Sequence, residues 1–122
     1  MLRGDTFFPT LVTKVPEFQA TIDEHLQEND ELLPHVLMGD FTRFVLRMFH
    51  ESIDEQPVTK CKRDILVTSL DFLEEALATG DSDVVELISL SFLENLADQE
   101  DLDQLKPLFG PRLRQELQDH FE

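Results

Sequence analysis

A chain of 122 residues has the size of one domain and buries roughly two thirds of its extended-chain surface on folding, enough for a single hydrophobic core. With 41% hydrophobic residues, ten Phe and neither Trp nor Tyr, it is too apolar for a disordered acidic tail, so one domain spanning 1–122 is expected. Ten Lys+Arg against 26 Asp+Glu leave a formal charge of -16, beyond the magnitude of about 2 to 8 that solubility calls for; a field of that sign argues against direct nucleic-acid or anionic-membrane binding and favours a basic protein partner.

Cys61 is the only cysteine, which excludes an intrachain disulfide or a multi-thiolate zinc site and makes a reducing, cytoplasmic setting the expectation. The apolar stretch from Phe7 to Val12 is short and broken by Pro9, unlike a secretory leader, and no apolar run approaches the roughly 18 residues of a membrane span.

In chain order, Phe18, Ile22 and Leu26 recur at i, i+4 and i+8 behind Pro16, predicting an amphipathic helix from Pro16 to Glu28 that Asn29 and Asp30 end. The short apolar piece Leu32 to Met38 runs into Gly39, read as a left-handed stop, with Asp40 as the N-cap of a new helix and His35 held nearby by backbone groups. From Asp40 to Ile53, Phe41, Phe44, Val45, Met48 and Phe49 share one face, while Arg43, Arg47 and Glu51 form a solvated stripe on another.

Pro57 opens the next helix, whose core stripe Leu66, Leu70, Leu73 and Leu77 lies opposite the polar stripe Asp64, Thr68, Asp71, Glu75 and Thr79 until Gly80 closes it. Asp81 or Ser82 caps a helix that is apolar nearly all round, which places residues 83–97 at the centre of the fold. Asp101 to Phe109, a Gly110-Pro111 break and a last helix carrying Leu113, Leu117 and Phe121 complete the chain. The fold class is all-α, with five to six helices in a bundle or a short stack of helix pairs. Phe41, Phe44, Phe49, Phe72 and Phe92 are expected to be the largest core side chains. The echo of Leu70-Asp71-Phe72-Leu73-Glu74 in Leu90-Ser91-Phe92-Leu93-Glu94 is short enough to arise by chance in Leu-rich helices.

Catalytic patterns are missing: there is no phosphate-binding glycine loop, HExxH or GxSxG, so the chain is read as a binding protein rather than an enzyme, with no cofactor. His25, His35, His50 and His120 show no metal-ligand spacing, and Asp98, Asp101 and Asp103 lack the Gly and the closing Glu of a calcium loop, so no metal is expected. Cys61 sits among Lys60, Lys62 and Arg63 but has no partner for catalysis in sequence and is read as an ordinary helix residue.

Charge segregation is the unusual feature. From Asp64 to Leu105 there is no Lys, Arg or His, whereas twelve Asp and Glu fall in that interval. Such a segment forgoes the Lys substitutions that would relieve its self-repulsion, and a basic partner would offset that cost on binding. Asp71, Glu75, Asp81, Asp83 and Glu86 are the candidate partner-binding residues, joined into one negative surface by the turn at Gly80.

The run Glu31-Leu32-Leu33-Pro34-His35-Val36-Leu37-Met38-Gly39-Asp40-Phe41-Thr42-Arg43-Phe44, followed by Ser91-Phe92-Leu93-Glu94-Asn95-Leu96 and Leu108-Phe109-Gly110-Pro111, resembles a family of small bacterial proteins of largely unassigned role. Proteins of this type resemble the immunity proteins of polymorphic toxin and contact-dependent inhibition systems. The resemblance implies a cytoplasmic protein that binds one cognate toxin domain, often a basic nuclease, and blocks its active site or substrate groove. The alternative is a helical adaptor or regulator that docks a basic segment of a host protein.

Overall fold

Apolar spacing at i, i+3 and i+4 becomes helix in each described segment of the computed structural model, which describes residues 3, 6–53, 61–97 and 100–121, the side chains of 61, 120 and 121 excepted. Seven helices and no strand stand among the described residues, against the five to six helices expected. The expected roles of Pro57 and Asp98, and the side chains of Cys61, His120 and Phe121, lie outside the described set.

The addition is α1, Phe7–Lys14, where Pro9 reads in sequence as an interruption. Pro9 stands in the first turn, where backbone N–H groups have no acceptor within the helix, so its missing N–H costs nothing there. Phe7, Phe8 and Leu11 are buried from this helix. A 3-10 turn, Pro16–Phe18, leads into α2, Gln19–Asn29, which Asp30 ends in the left-handed conformation at φ 63, its N–H donating to Leu26 O. Both ends of that segment match the sequence reading.

Helix α3, Pro34–Ile53, corrects it: the helix starts at Pro34 and runs unbroken through Gly39 and Asp40. Gly39 is therefore no left-handed stop, since no described glycine has a positive φ, and Asp40 is no N-cap. Proline at the first helical position starts the helix here, and burial of Leu37, Met38, Phe41 and Val45 on one continuous face carries it past the glycine. Nothing crowds Gly39: an added Cβ would lie 3.6 Å from Asn95 Nδ2 and 3.8 Å from Arg43 Nη1.

Helix α4, Cys61–Thr79, buries Leu66, Leu70 and Leu73 and ends as expected at Gly80. The chain passes so close to itself there that a Cβ on Gly80 would sit 2.5 Å from Ala76 O and 2.6 Å from Val84 Cγ1. Three segments then run on as one helix, α5 (82–97): Ser82–Glu86, a π turn Leu87–Phe92, and Leu93–Ala97. The Leu93 N–H reaches back to Ile88 O, five residues earlier, the mark of one inserted residue. Helix α6 is Leu102–Leu105 with a 3-10 continuation, Lys106–Leu108, and α7 is Pro111–Phe121.

The architecture is a bundle around α3, which packs against α4 on one side and α5 on the other, while α1 and α7 close over α4. Helix α5 is buried through Val84, Leu87, Ile88, Phe92, Leu93 and Leu96, yet Leu90 is 49% exposed and the helix keeps one face in solvent. Central placement thus belongs to α3 as much as to 83–97. The five expected Phe residues are all buried, but Phe7, Phe8 and Phe18 are buried more completely than Phe44, Phe49 and Phe72. Phe18 meets Phe41 and Phe44 at 5.1 and 5.3 Å between ring centroids, Phe41 meets Phe92 at 5.9 Å, and Phe7 meets Phe72 at 5.4 Å. These edge-on and tilted contacts tie α1 to α4, and the 3-10 turn to α3 and α3 to α5. The echo between α4 and α5 is not a structural repeat, since Leu70 is buried where Leu90 is half exposed.

Candidate functional site

Four of the five nominated carboxylates are exposed: Asp71 and Glu75 on α4, Asp83 and Glu86 on the first turns of α5. Among the described residues none of these four makes an ion pair or a side-chain hydrogen bond. Asp81 has a structural task, as its carboxylate accepts the Val84 N–H at 3.1 Å and caps α5. Two further acids of the cation-free interval are also engaged. Glu74 accepts the N–H groups of Arg112 and Leu113, each at 2.9 Å, and so caps α7 from another helix; Asp101 pairs with His50.

The cations behave differently. Arg43 pairs with Asp40 on its own helix, Glu51 receives Arg47 at 3.7 Å and Lys62 at 3.5 Å, and the Arg47 guanidinium lies 5.7 Å from the Phe44 ring centroid. The basic stripe is answered internally, whereas Asp71 and Glu75 of α4 and Asp83 and Glu86 of α5 are left facing water.

Beside Asp83 and Glu86 the surface opens into a cleft of about 510 Å³. Phe8 and Pro9 of α1, Leu32 and Pro34 at the entry to α3, and Leu87 of α5 supply its apolar lining, and His35 completes the rim with the two carboxylates. Its walls are positioned by specific contacts. His25, buried in α2, accepts the Leu33 N–H on Nε2 at 3.0 Å, which pins the loop carrying Leu32. Because a backbone N–H can only donate, Nε2 is unprotonated, and Nδ1 faces Asn29 Nδ2 at 3.3 Å and Asp40 Oδ2 at 3.9 Å. His35 Nδ1 lies 2.5 Å from Ser91 Oγ and fastens the start of α3 to the π turn of α5.

A serine beside a histidine raises the question of nucleophilic chemistry. No carboxylate orients the imidazole among the described residues, so the pair lacks the third member that holds such a base in its working tautomer. Among the described residues no three His, Cys, Asp or Glu side chains stand together as a possible metal site, and no helix is long and apolar enough to cross a membrane. The cleft was not visible in sequence because its walls come from three separate segments. One signal was available: Leu32 and Leu33, apolar residues before a helix-starting proline, had no helix face of their own to bury.

The chain matches over residues 8–122 the family model described as a domain of unknown function, DUF7674. It belongs to that family. No curated protein and no solved structure matches it.

Proposed function

We propose that this protein is an immunity-type inhibitor that binds and neutralises a cognate basic toxin domain, of the nuclease class, through its acidic surface. The observation that carries the reading is the asymmetry of charge satisfaction: the cations of α3 are paired within the chain, while Asp71, Glu75, Asp83 and Glu86 are exposed and unpaired among the described residues. A surface of that kind speeds encounter with a basic groove and, once seated, occupies the region that nucleic-acid phosphates would approach. The cytoplasm, where such a toxin would meet its substrate, is the corresponding location.

The second reading, an adaptor docking a basic segment of a host protein, is favoured by the apolar cleft beside Asp83 and Glu86, whose shape suits a segment better than a flat groove. The two separate in one experiment. The toxin domain encoded next to this chain is expressed with and without it, and its activity and complex formation are measured. The inhibitor reading expects restored growth, loss of nuclease activity and a tight one-to-one complex. Full nuclease activity at saturating concentrations of this protein, or no toxin gene beside it, would leave the adaptor.

A further inference from the structure

The apolar cleft is next to charge but is not made of it. Its lining from Phe8, Leu32, Pro34 and Leu87 would hold a hydrocarbon side chain, while Asp83 and Glu86 stand at its edge with no cation to answer them among the described residues. Two exposed apolar residues adjoin the cleft's walls along the chain. Val36 and Leu90 are each chain neighbours of the hydrogen-bonded pair His35 and Ser91, and they are 52% and 49% exposed. Leu90 follows Glu86 by four residues and so stays on its side of α5 through the π turn. A small molecule filling the cleft would leave both of these side chains in water, whereas an extended or helical segment crossing it would cover them.

Building on the basic-partner reading above, we infer that the cleft takes the apolar anchor of an amphipathic basic segment of the partner protein. One aliphatic or aromatic side chain enters between Phe8, Leu32 and Leu87. A second, a helical turn away, covers Leu90 and Val36. Lysine or arginine residues flanking the anchor meet Asp83 and Glu86. The partner's recognition element is then a short segment with basic and apolar positions at helical spacing. The long-range charge of α4 brings it in, and the cleft holds it: charge sets the rate of encounter, and a filled apolar pocket sets the rate of departure.

The test uses the full chain, isotopically labelled, and three synthetic sixteen-residue amidated peptides: one with Lys and Leu at amphipathic helical spacing, one with every Leu replaced by Ser, and one with every Lys replaced by Glu. The Lys/Leu peptide should bind at least tenfold more tightly than either of the others and shift amide resonances of Leu32, Glu86, Leu87 and Leu90. Two double variants are titrated alongside, Leu32→Ser with Leu90→Ser and Asp83→Lys with Glu86→Lys. Leu32 and Leu90 are 38% and 49% exposed and Asp83 and Glu86 face solvent, so each double variant should stay folded with a small fall in melting temperature, to which the Asp83 reversal adds a helix-dipole cost. Each should weaken the Lys/Leu peptide about tenfold or more. Equal binding of the Lys/Leu and Lys/Ser peptides, both steeply salt-dependent and mapping to α4, overturns the cleft inference and leaves the acidic-surface reading standing. Tighter binding of the Glu/Leu peptide, or no binding by either basic peptide, removes the basic partner itself.

Discussion

Replacing Glu74 by alanine strips the α7 N-terminus of a carboxylate acceptor supplied by another helix. The carboxylate of Glu74, on α4, receives two backbone N–H groups of α7, those of Arg112 and Leu113. Helix caps contribute about 0.5–2 kcal/mol, and hydrogen bonds to a charged acceptor are about twice as strong as neutral ones, so losing both should cost about 2–3 kcal/mol. For a chain of this length that corresponds to a fall in Tm of about 6–15 °C, and Glu74→Gln, which keeps one oxygen acceptor, should lose about half as much. Glu75 is the control, being the same residue one position along and exposed, and Glu75→Ala should stay within about 0.5 kcal/mol. Gly110 supplies a second arm, because a Cβ there would lie 2.5 Å from the Glu74 carboxyl carbon and 2.6 Å from its Oε2 and dislodge the group. Gly110→Ala should be costly in the native background and markedly less so when Glu74 is already alanine. Urea unfolding at constant m-value measures all of these. Equal losses for Glu74→Ala and Glu75→Ala, or additive Glu74 and Gly110 effects, would refute the capping account.

Gly39→Ala should raise stability by about 0.5–1 kcal/mol, since the site is a helix interior with room for a methyl group; a loss of stability on thermal melting would restore the left-handed stop. His25→Ala should cost about 1–3 kcal/mol, because it leaves the half-buried Leu33 N–H without its side-chain acceptor, and hydrogen exchange at Leu33 should accelerate more than at Leu11; uniform acceleration would argue against a local role. Reversing Asp71 and Glu75 to Lys should slow association with the basic partner about tenfold at low salt with melting unchanged, and an unaltered rate in stopped-flow mixing would return α4 to an ordinary solvated face.

Periodicity was a sound guide wherever burial is one-sided and local. The stripes through Leu66, Leu70 and Leu73, the stop at Gly80 and the break at Gly110-Pro111 are present because the groups that decide them lie within a turn of one another. Periodicity misleads at Gly39-Asp40, where a local stop and cap signal is overridden by the burial of Leu37, Met38 and Phe41 on a face continuous through the glycine. It also passes over α1, whose Pro9 is harmless only because of its place in the first turn.

Composition and spacing by themselves determined that this chain is helical, that it has one core rich in Phe, and that its acids and bases are segregated along the sequence. What each acid does was left to the tertiary structure. Glu74 and Glu75 are adjacent and chemically identical, yet one caps α7 and the other faces water, because a helix advances about 100° per residue and only one of the two directions meets another helix. The cleft arose in the same way, from Phe8, Leu32 and Leu87, residues with no local relation that came to share a wall only when α1 and the entry to α3 closed against α5. Local spacing encodes which face of a helix is apolar, and it carries no information on which distant segment will come to cover that face.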